Sequence, residues 1–181
     1  MQEDFKIEPP HKKTVLMTPV ILTLVGCSNS GKTTVASELI KVLVGKGYKV
    51  AAIKHCPHGH DVDIKGADTY RMAQAGASTV VAVSPNKVTR IDQTESELPL
   101  EVIIAPLGNF DLIIVEGFKD STTPKILIEQ HGKHLPLKIN PIATVSDRED
   151  SDLLNRNHFR FDEIPKLAGY ICERFLTSRK Q

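Results

Sequence analysis

Charge of neither sign is in excess: 23 lysines and arginines stand against 22 aspartates and glutamates, a formal net charge of +1. Such balance excludes a general electrostatic grip on nucleic acid or an anionic membrane and leaves only local patches. Cysteine is scarce too. Cys27, Cys56 and Cys172 are scattered, with no C-x-x-C pair, which argues against a disulfide framework and fits a reducing cytoplasm. No apolar run approaches the roughly 18 residues of a membrane-spanning helix. The opening MQEDFKIEPPHKK is polar and proline-bearing, without the apolar region of a signal peptide. Internal repeats and low-complexity stretches are missing. We therefore expect residues 1–19 to be a flexible tail and residues 20–181 to form one domain with a sizeable core.

What is there is concentrated in VILTLVGCSNSGKTT, Val20 to Thr34. A β-branched apolar run passes without a linker into Gly26-x-x-x-x-Gly31-Lys32-Thr33, the phosphate-binding pattern G-x-x-x-x-G-K-[ST]. Glycines at that spacing let the backbone fold back so that successive N–H groups point inward as an anion nest. Gly26, Cys27, Ser28, Asn29, Ser30, Gly31, Lys32, Thr33 and Thr34 are thus the candidate phosphate cradle. The helix that starts near Lys32 adds the positive end of its dipole. Lys32 can reach β- and γ-phosphates, and the Thr33 hydroxyl can ligate Mg²⁺. A strand before and a helix after the loop predict a nucleoside triphosphate site.

Further along, Val35, Leu39, Val42 and Leu43 mark one face of the helix, and Gly45 and Gly47 stop it. Strands are expected at Tyr48–Lys54, Ser78–Ser84, Asp111–Val115, Lys125–Glu129 and Ile142–Val145, with KVTRI as a short antiparallel addition. Helices are expected over Gly66–Ala77, over Glu95–Leu107 with Pro99 and Pro106 marking its ends, and along the Ile164–Phe175 stripe. This alternation predicts an α/β fold of the P-loop NTPase type, a mostly parallel sheet with helices on both faces. Ligands of such sheets bind beyond the carboxyl ends of the strands.

The strand FDLIIVEG carries two acids, Asp111 at its start and Glu116 at its end. At about 3.3 Å per residue they lie roughly 16 Å apart, so only one can serve the phosphates. Strand polarity selects Glu116, as a Mg²⁺ partner or an organiser of the attacking nucleophile, with a buried salt bridge as the plain alternative. Directly after the second strand comes Lys54-His55-Cys56-Pro57-His58-Gly59-His60-Asp61-Val62-Asp63. Three readings stand for it. It can ligate a transition metal, although its spacing matches no standard zinc pattern. It can be a loop in which Asp61 and Asp63 hold Mg²⁺-bound water while Lys54, His55 and His58 meet an anionic substrate. Or it is a solvated polar loop. At Ser146-Asp147 a carboxylate can accept from guanine N1–H and N2–H₂, but Ser-Asp is equally a helix N-cap.

Taken together these motifs resemble the family of the molybdopterin-guanine dinucleotide biosynthesis protein B, MobB. The resemblance runs through Gly26–Thr34, Lys54-His55 with His58 and Asp61-x-Asp63, Tyr70-Arg71…Ala75-Gly76-Ala77, Val115-Glu116-Gly117-Phe118-Lys119 and Ser146-Asp147, spanning about Ile21 to Arg174. It implies a cytoplasmic, homodimeric GTP-binding protein with weak GTPase activity and Mg²⁺ as its metal. It also implies assistance to a molybdopterin guanylyltransferase partner protein, with molybdopterin or a related anionic ligand. Cys27 stands where related dimeric ATPases carry a second lysine, which implies slow hydrolysis. The alternative function is a P-loop small-molecule kinase in which Asp61 or Asp63 accepts a substrate hydroxyl proton.

Overall fold

Apolar strands that alternate with amphipathic segments bury both faces of a sheet only if the crossovers lie above and below it. The computed structural model, which describes residues 18–59, 63–130, 139–147 and 157–177, meets that requirement. The elements are β1 (Val20–Val25), α1 (Lys32–Gly45), β2 (Val50–Lys54), α2 (Asp68–Gln74), β3 (Thr79–Ser84), β4 (Lys87–Asp92) and α3 (Leu100–Ile104). They continue with β5 (Leu112–Glu116), β6 (Lys125–Glu129), β7 (Ala143–Ser146), β8 (His158–Phe159) and α4 (Ile164–Ile171), whose end, Cys172–Leu176, widens into a π-turn. Six strands form one sheet in the order β2-β5-β1-β6-β7-β8, and every ladder in it is parallel.

The period of two along β5 divides the core. Leu112 and Ile114 face Leu22 and Leu24 under Val35, Leu39 and Leu43 of α1 and Leu167 and Ile171 of α4. Ile113 and Val115 face the other way, against Leu100 of α3 with Ile104 and Leu107 beside it. Fully burying one such side chain contributes about 1.5–3 kcal/mol, and all of Leu112 to Val115 are buried. That makes β5 the anchor of the sheet, with β1 and β2 hydrogen-bonded to either side.

Several elements depart from expectation. The helix expected from Glu95 begins only at Leu100, because a proline disfavours helical backbone in the residue before it, so nothing before Pro99 can join. The third strand and its antiparallel addition pair with each other as a separate two-stranded sheet, Val83 opposite Val88, and stay out of the main one. The pair β7–β8 adds a two-residue strand too short to show any periodicity. Most of the expected tail, residues 1–17, lies outside the described residues. Among those residues no helix is long and apolar enough to cross a membrane.

Candidate nucleotide-binding site

The phosphate loop is built by backbone that admits few other side chains. A Cβ on Gly26 would lie 2.2 Å from the Ile128 carbonyl oxygen and 2.7 Å from Ser30 Oγ. Asn29 at φ 57° and Gly31 at φ 88° take left-handed conformations, which asparagine tolerates and glycine adopts freely. Ser30 is fully buried, and its N–H donates to the Cys27 carbonyl at 3.3 Å. Helix α1 then starts without a side-chain cap and without an acid in its first turn. Its leading N–H groups and dipole are therefore left to an anion. Lys32 folds back so that Nζ donates to the carbonyls of Gly26 at 3.1 Å and Cys27 at 2.6 Å. Burial holds its pKa below the ordinary lysine value and Lys54 pushes the same way, against the opposing pull of Glu116 and Cys27. A phosphate offers this ammonium charged acceptors in place of neutral carbonyls.

Strand register delivers the acid. Glu116 is paired with Leu24 on β1 and with Lys54 on β2, so Glu116 and Lys54 end their strands level with the penultimate residue of β1, just before the loop. Thr33 Oγ1 donates to the Glu116 carboxylate, 2.9 Å from Oε1 and 2.8 Å from Oε2. Lys54 Nζ stands 3.1 Å from both Thr33 Oγ1 and Glu116 Oε1. A hydroxyl and a carboxylate at the mouth of a phosphate loop are the hard oxygen donors that Mg²⁺ takes, and the ammonium between them marks the spot as one that holds a cation. Asp111, at the other end of β5, accepts the Lys49 N–H at 2.7 Å.

Beyond the loop lies a cavity of about 1320 Å³, bounded on the far side by His55, His58, Leu98, Pro99 and Phe118. Its wall is held by side chains. Gly117 at φ 97° and Phe118 at φ 45° turn the chain sharply after Glu116. His55 braces that turn: its ring stacks on Phe118 with centroids 4.3 Å apart, and Nδ1 accepts the Phe118 N–H at 3.3 Å. A ring that accepts at Nδ1 carries its proton on Nε2. Nε2 lies 3.1 Å from Glu97 Oε1, an ion-pair distance without hydrogen-bond alignment.

The structure thus brings together Gly26, Ser28, Asn29, Ser30, Gly31, Lys32, Thr33, Thr34, Glu116, His55 and His58 around one cavity. Half-buried Cys27 belongs to the loop but not to the cavity lining. Asp63 is outside that lining as well, and its Oδ1 accepts from Thr69 Oγ1 at 2.7 Å. Asp61 lies outside the described residues. Asp147 follows the carboxyl end of β7, half-buried, and does not line the cavity. Among the described residues no group of three or more His, Cys, Asp and Glu side chains is placed to hold a metal ion. The sequence reading named Phe118 only within the resemblance, with no role in the site, and missed the Glu97–Glu101 wall. The one available signal was Pro99, which ends an extended segment and starts a helix.

The family model for MobB, Molybdopterin guanine dinucleotide synthesis protein B, matches residues 21–147. The molybdopterin-guanine dinucleotide biosynthesis adapter protein of Escherichia coli is 34% identical over 165 residues, covering 84% of this chain and 91% of its own length. The protein of the same name from Haemophilus influenzae is 31% identical over 158 residues, covering 83% and 86%. A crystal structure of molybdopterin-guanine biosynthesis protein B aligns with a TM-score of 0.67 at 28% identity, over 85% of this chain and 99% of that one. The Bacillus subtilis MobB structure, with a TM-score of 0.64 at 21% identity over 86% and 98%, shares the fold. The chain belongs to the MobB family.

Proposed function

We propose that this protein binds GTP with Mg²⁺ and acts as an accessory factor in making molybdopterin guanine dinucleotide, with at most slow GTPase activity. The observation that carries the reading is the convergence of Lys32, Thr33 and Glu116 at the mouth of a cavity with room beyond a triphosphate. Residues Gly26 to Thr34 cradle the phosphates through backbone N–H groups, and Lys32 meets the β- and γ-phosphates. Thr33 and Glu116 hold the Mg²⁺, which neutralises charge on the phosphates when bound. Asp147 reads the guanine edge, the base extending past the cavity lining toward the carboxyl end of β7. His55 and His58 border the space for a second, anionic ligand, molybdopterin or a relative of it. Glu116 is the candidate for orienting water, since Asp63 is held by Thr69 outside the cavity lining, and the lack of a second loop lysine at Cys27 keeps hydrolysis slow.

The adapter names of the relatives support a partner protein, which we take to be the guanylyltransferase, in the cytoplasm. A homodimer accounts for the hairpin. A lone two-stranded sheet is marginal in water, yet Val81, Val83 and Val88 of β3–β4 are all exposed, and a second copy can cover them. Charged substitution of Val83 should shift sedimentation toward the monomer; an unchanged boundary removes the hairpin from the interface. The kinase alternative has less support, since Asp63 is engaged by Thr69 and does not line the cavity.

Calorimetry with GTP and ATP in Mg²⁺ tests the reading. GTP should bind more tightly, and equal affinities would remove the base-reading role of Asp147. Lys32→Ala should weaken binding roughly a hundredfold, since a hydrogen bond to a charged group is worth about 1.5–3 kcal/mol. Retained affinity would overturn the site.

A further inference from the structure

We propose that Lys54 is a tethered cation: it occupies the Mg²⁺ position of the nucleotide-free protein and is displaced when metal and nucleotide arrive. The proposal rests on the Mg²⁺-nucleotide reading of the phosphate loop and adds what competes for that metal.

Three observations place the ammonium there. Lys54 Nζ lies 3.1 Å from Thr33 Oγ1 and 3.1 Å from Glu116 Oε1, so it touches both candidate metal donors at once. Thr33 Oγ1 spends its proton on the Glu116 carboxylate and turns a lone pair to Lys54, the orientation a metal ligand needs. The exposures of the partners also differ. The Glu116 side chain is 14% exposed and the Lys54 side chain 55% exposed, so the carboxylate is fixed while the ammonium can swing out on its four-carbon stem. Register puts the contact within reach, because Lys54 and Glu116 are direct partners at the ends of adjacent parallel strands.

The chemistry then follows. A largely buried carboxylate without a cation beside it is costly, and Lys54 supplies one while the loop is empty. Mg²⁺ cannot share the two oxygens with an ammonium at hydrogen-bond distance, because the like charges repel. One cation must leave, and only Lys54 has room to do so. Lys54 lines the same cavity as His55 and His58. Release therefore turns its charge toward the space where a second anion would sit, and metal–nucleotide occupancy at one end raises the positive potential of the other. Lys54 is a positioning residue in this scheme, acting through Glu116.

The test uses the nucleotide-free full chain with Mn²⁺ as the probe, free Mn²⁺ being counted by electron paramagnetic resonance. Lys54→Met should bind Mn²⁺ about fivefold more tightly than wild type, the scale on which a partly exposed ion pair holds its acid. Lys54→Arg, which keeps the charge, should behave as wild type. Unchanged or weaker Mn²⁺ binding in Lys54→Met would overturn the proposal, as would a gain that survives in Lys54→Met/Glu116→Gln. GTP titrations in EDTA and across a Mg²⁺ series give the second readout. Lys54→Met should keep its affinity in EDTA within about twofold, a surface-sized effect, and saturate at lower Mg²⁺. A large loss in EDTA would make Lys54 a phosphate ligand instead and sink the idea. Wild-type protein that fails to bind GTP would defeat the nucleotide reading alone, because the Mn²⁺ comparison still reports on Lys54.

Discussion

The two ends of the cavity are made of different material. At the phosphate end, backbone does the work: Gly26 packs against a neighbouring strand's carbonyl, Asn29 and Gly31 turn left-handed, and α1 opens without a side-chain cap. At the far end, side chains do it: His55 stacks on Phe118, accepts its N–H and sets Nε2 against Glu97. A cradle of N–H groups recognises any phosphate and tolerates almost no change. A wall of stacked and paired side chains can be retuned residue by residue, and that is where selectivity for a second ligand belongs. Glu116 and its neighbour Gly117 join the two, since the carboxylate faces Thr33 while the turn after it rests on His55.

The sharpest way to break this contrast is Gly26→Ala. Its Cβ would sit 2.2 Å from the Ile128 carbonyl oxygen, a backbone atom of β6 that cannot step aside. Denaturant melts should show a loss of about 3 kcal/mol, the upper end of overpacking costs, with nucleotide binding lost as the loop shifts. A wild-type midpoint would mean that the loop has slack. Gly117→Ala comes next. It places an L side chain at φ 97° and its Cβ 2.6 Å from His55 Cβ, for a cost of about 2 kcal/mol. Because the clash is with Cβ, His55→Ala leaves it in place and only His55→Gly relieves it. A double variant with His55→Ala that regains stability would contradict the geometry.

The same division decides what could be read from the sequence. The phosphate end was legible because eight consecutive residues, Gly26 to Thr33, specify its backbone, and one strand's polarity chose Glu116 over Asp111. The hydrophobic pattern of β5 and α4 was legible for the same local reason. The far wall was legible only in part, since His55 and His58 were placed beside the phosphates but their packing was not. His55 and Phe118 are 63 residues apart, and nothing in either neighbourhood announces a stacked pair. The hairpin was visible as two strands but not as a separate sheet, because β-branched alternation reports a half-buried face and not which strand it will join. Lys54 was read as an anion contact, and only the register of β2 against β5 shows its ammonium on Glu116.

The smallest of the expected effects bears most directly on the far wall. His55→Ala removes one aromatic stack, worth about 0.5–1.5 kcal/mol, and one acceptor, worth about 0.5–1.5 kcal/mol net. Stability should fall by about 1–2 kcal/mol, because the half-buried Phe118 N–H borders the cavity, where water can recover part of the loss. The telling measurement is where the loss appears. Lys32 and the Gly26–Thr33 backbone do not touch His55, so GTP affinity in EDTA should hold. The Mg²⁺ dependence of that affinity should change instead, because the turn behind Glu116 is no longer braced and the carboxylate wanders from Thr33. A variant that loses GTP affinity in EDTA as fully as in Mg²⁺ would mean that His55 supports the phosphate loop itself. The two ends of the cavity would then be one structure rather than two.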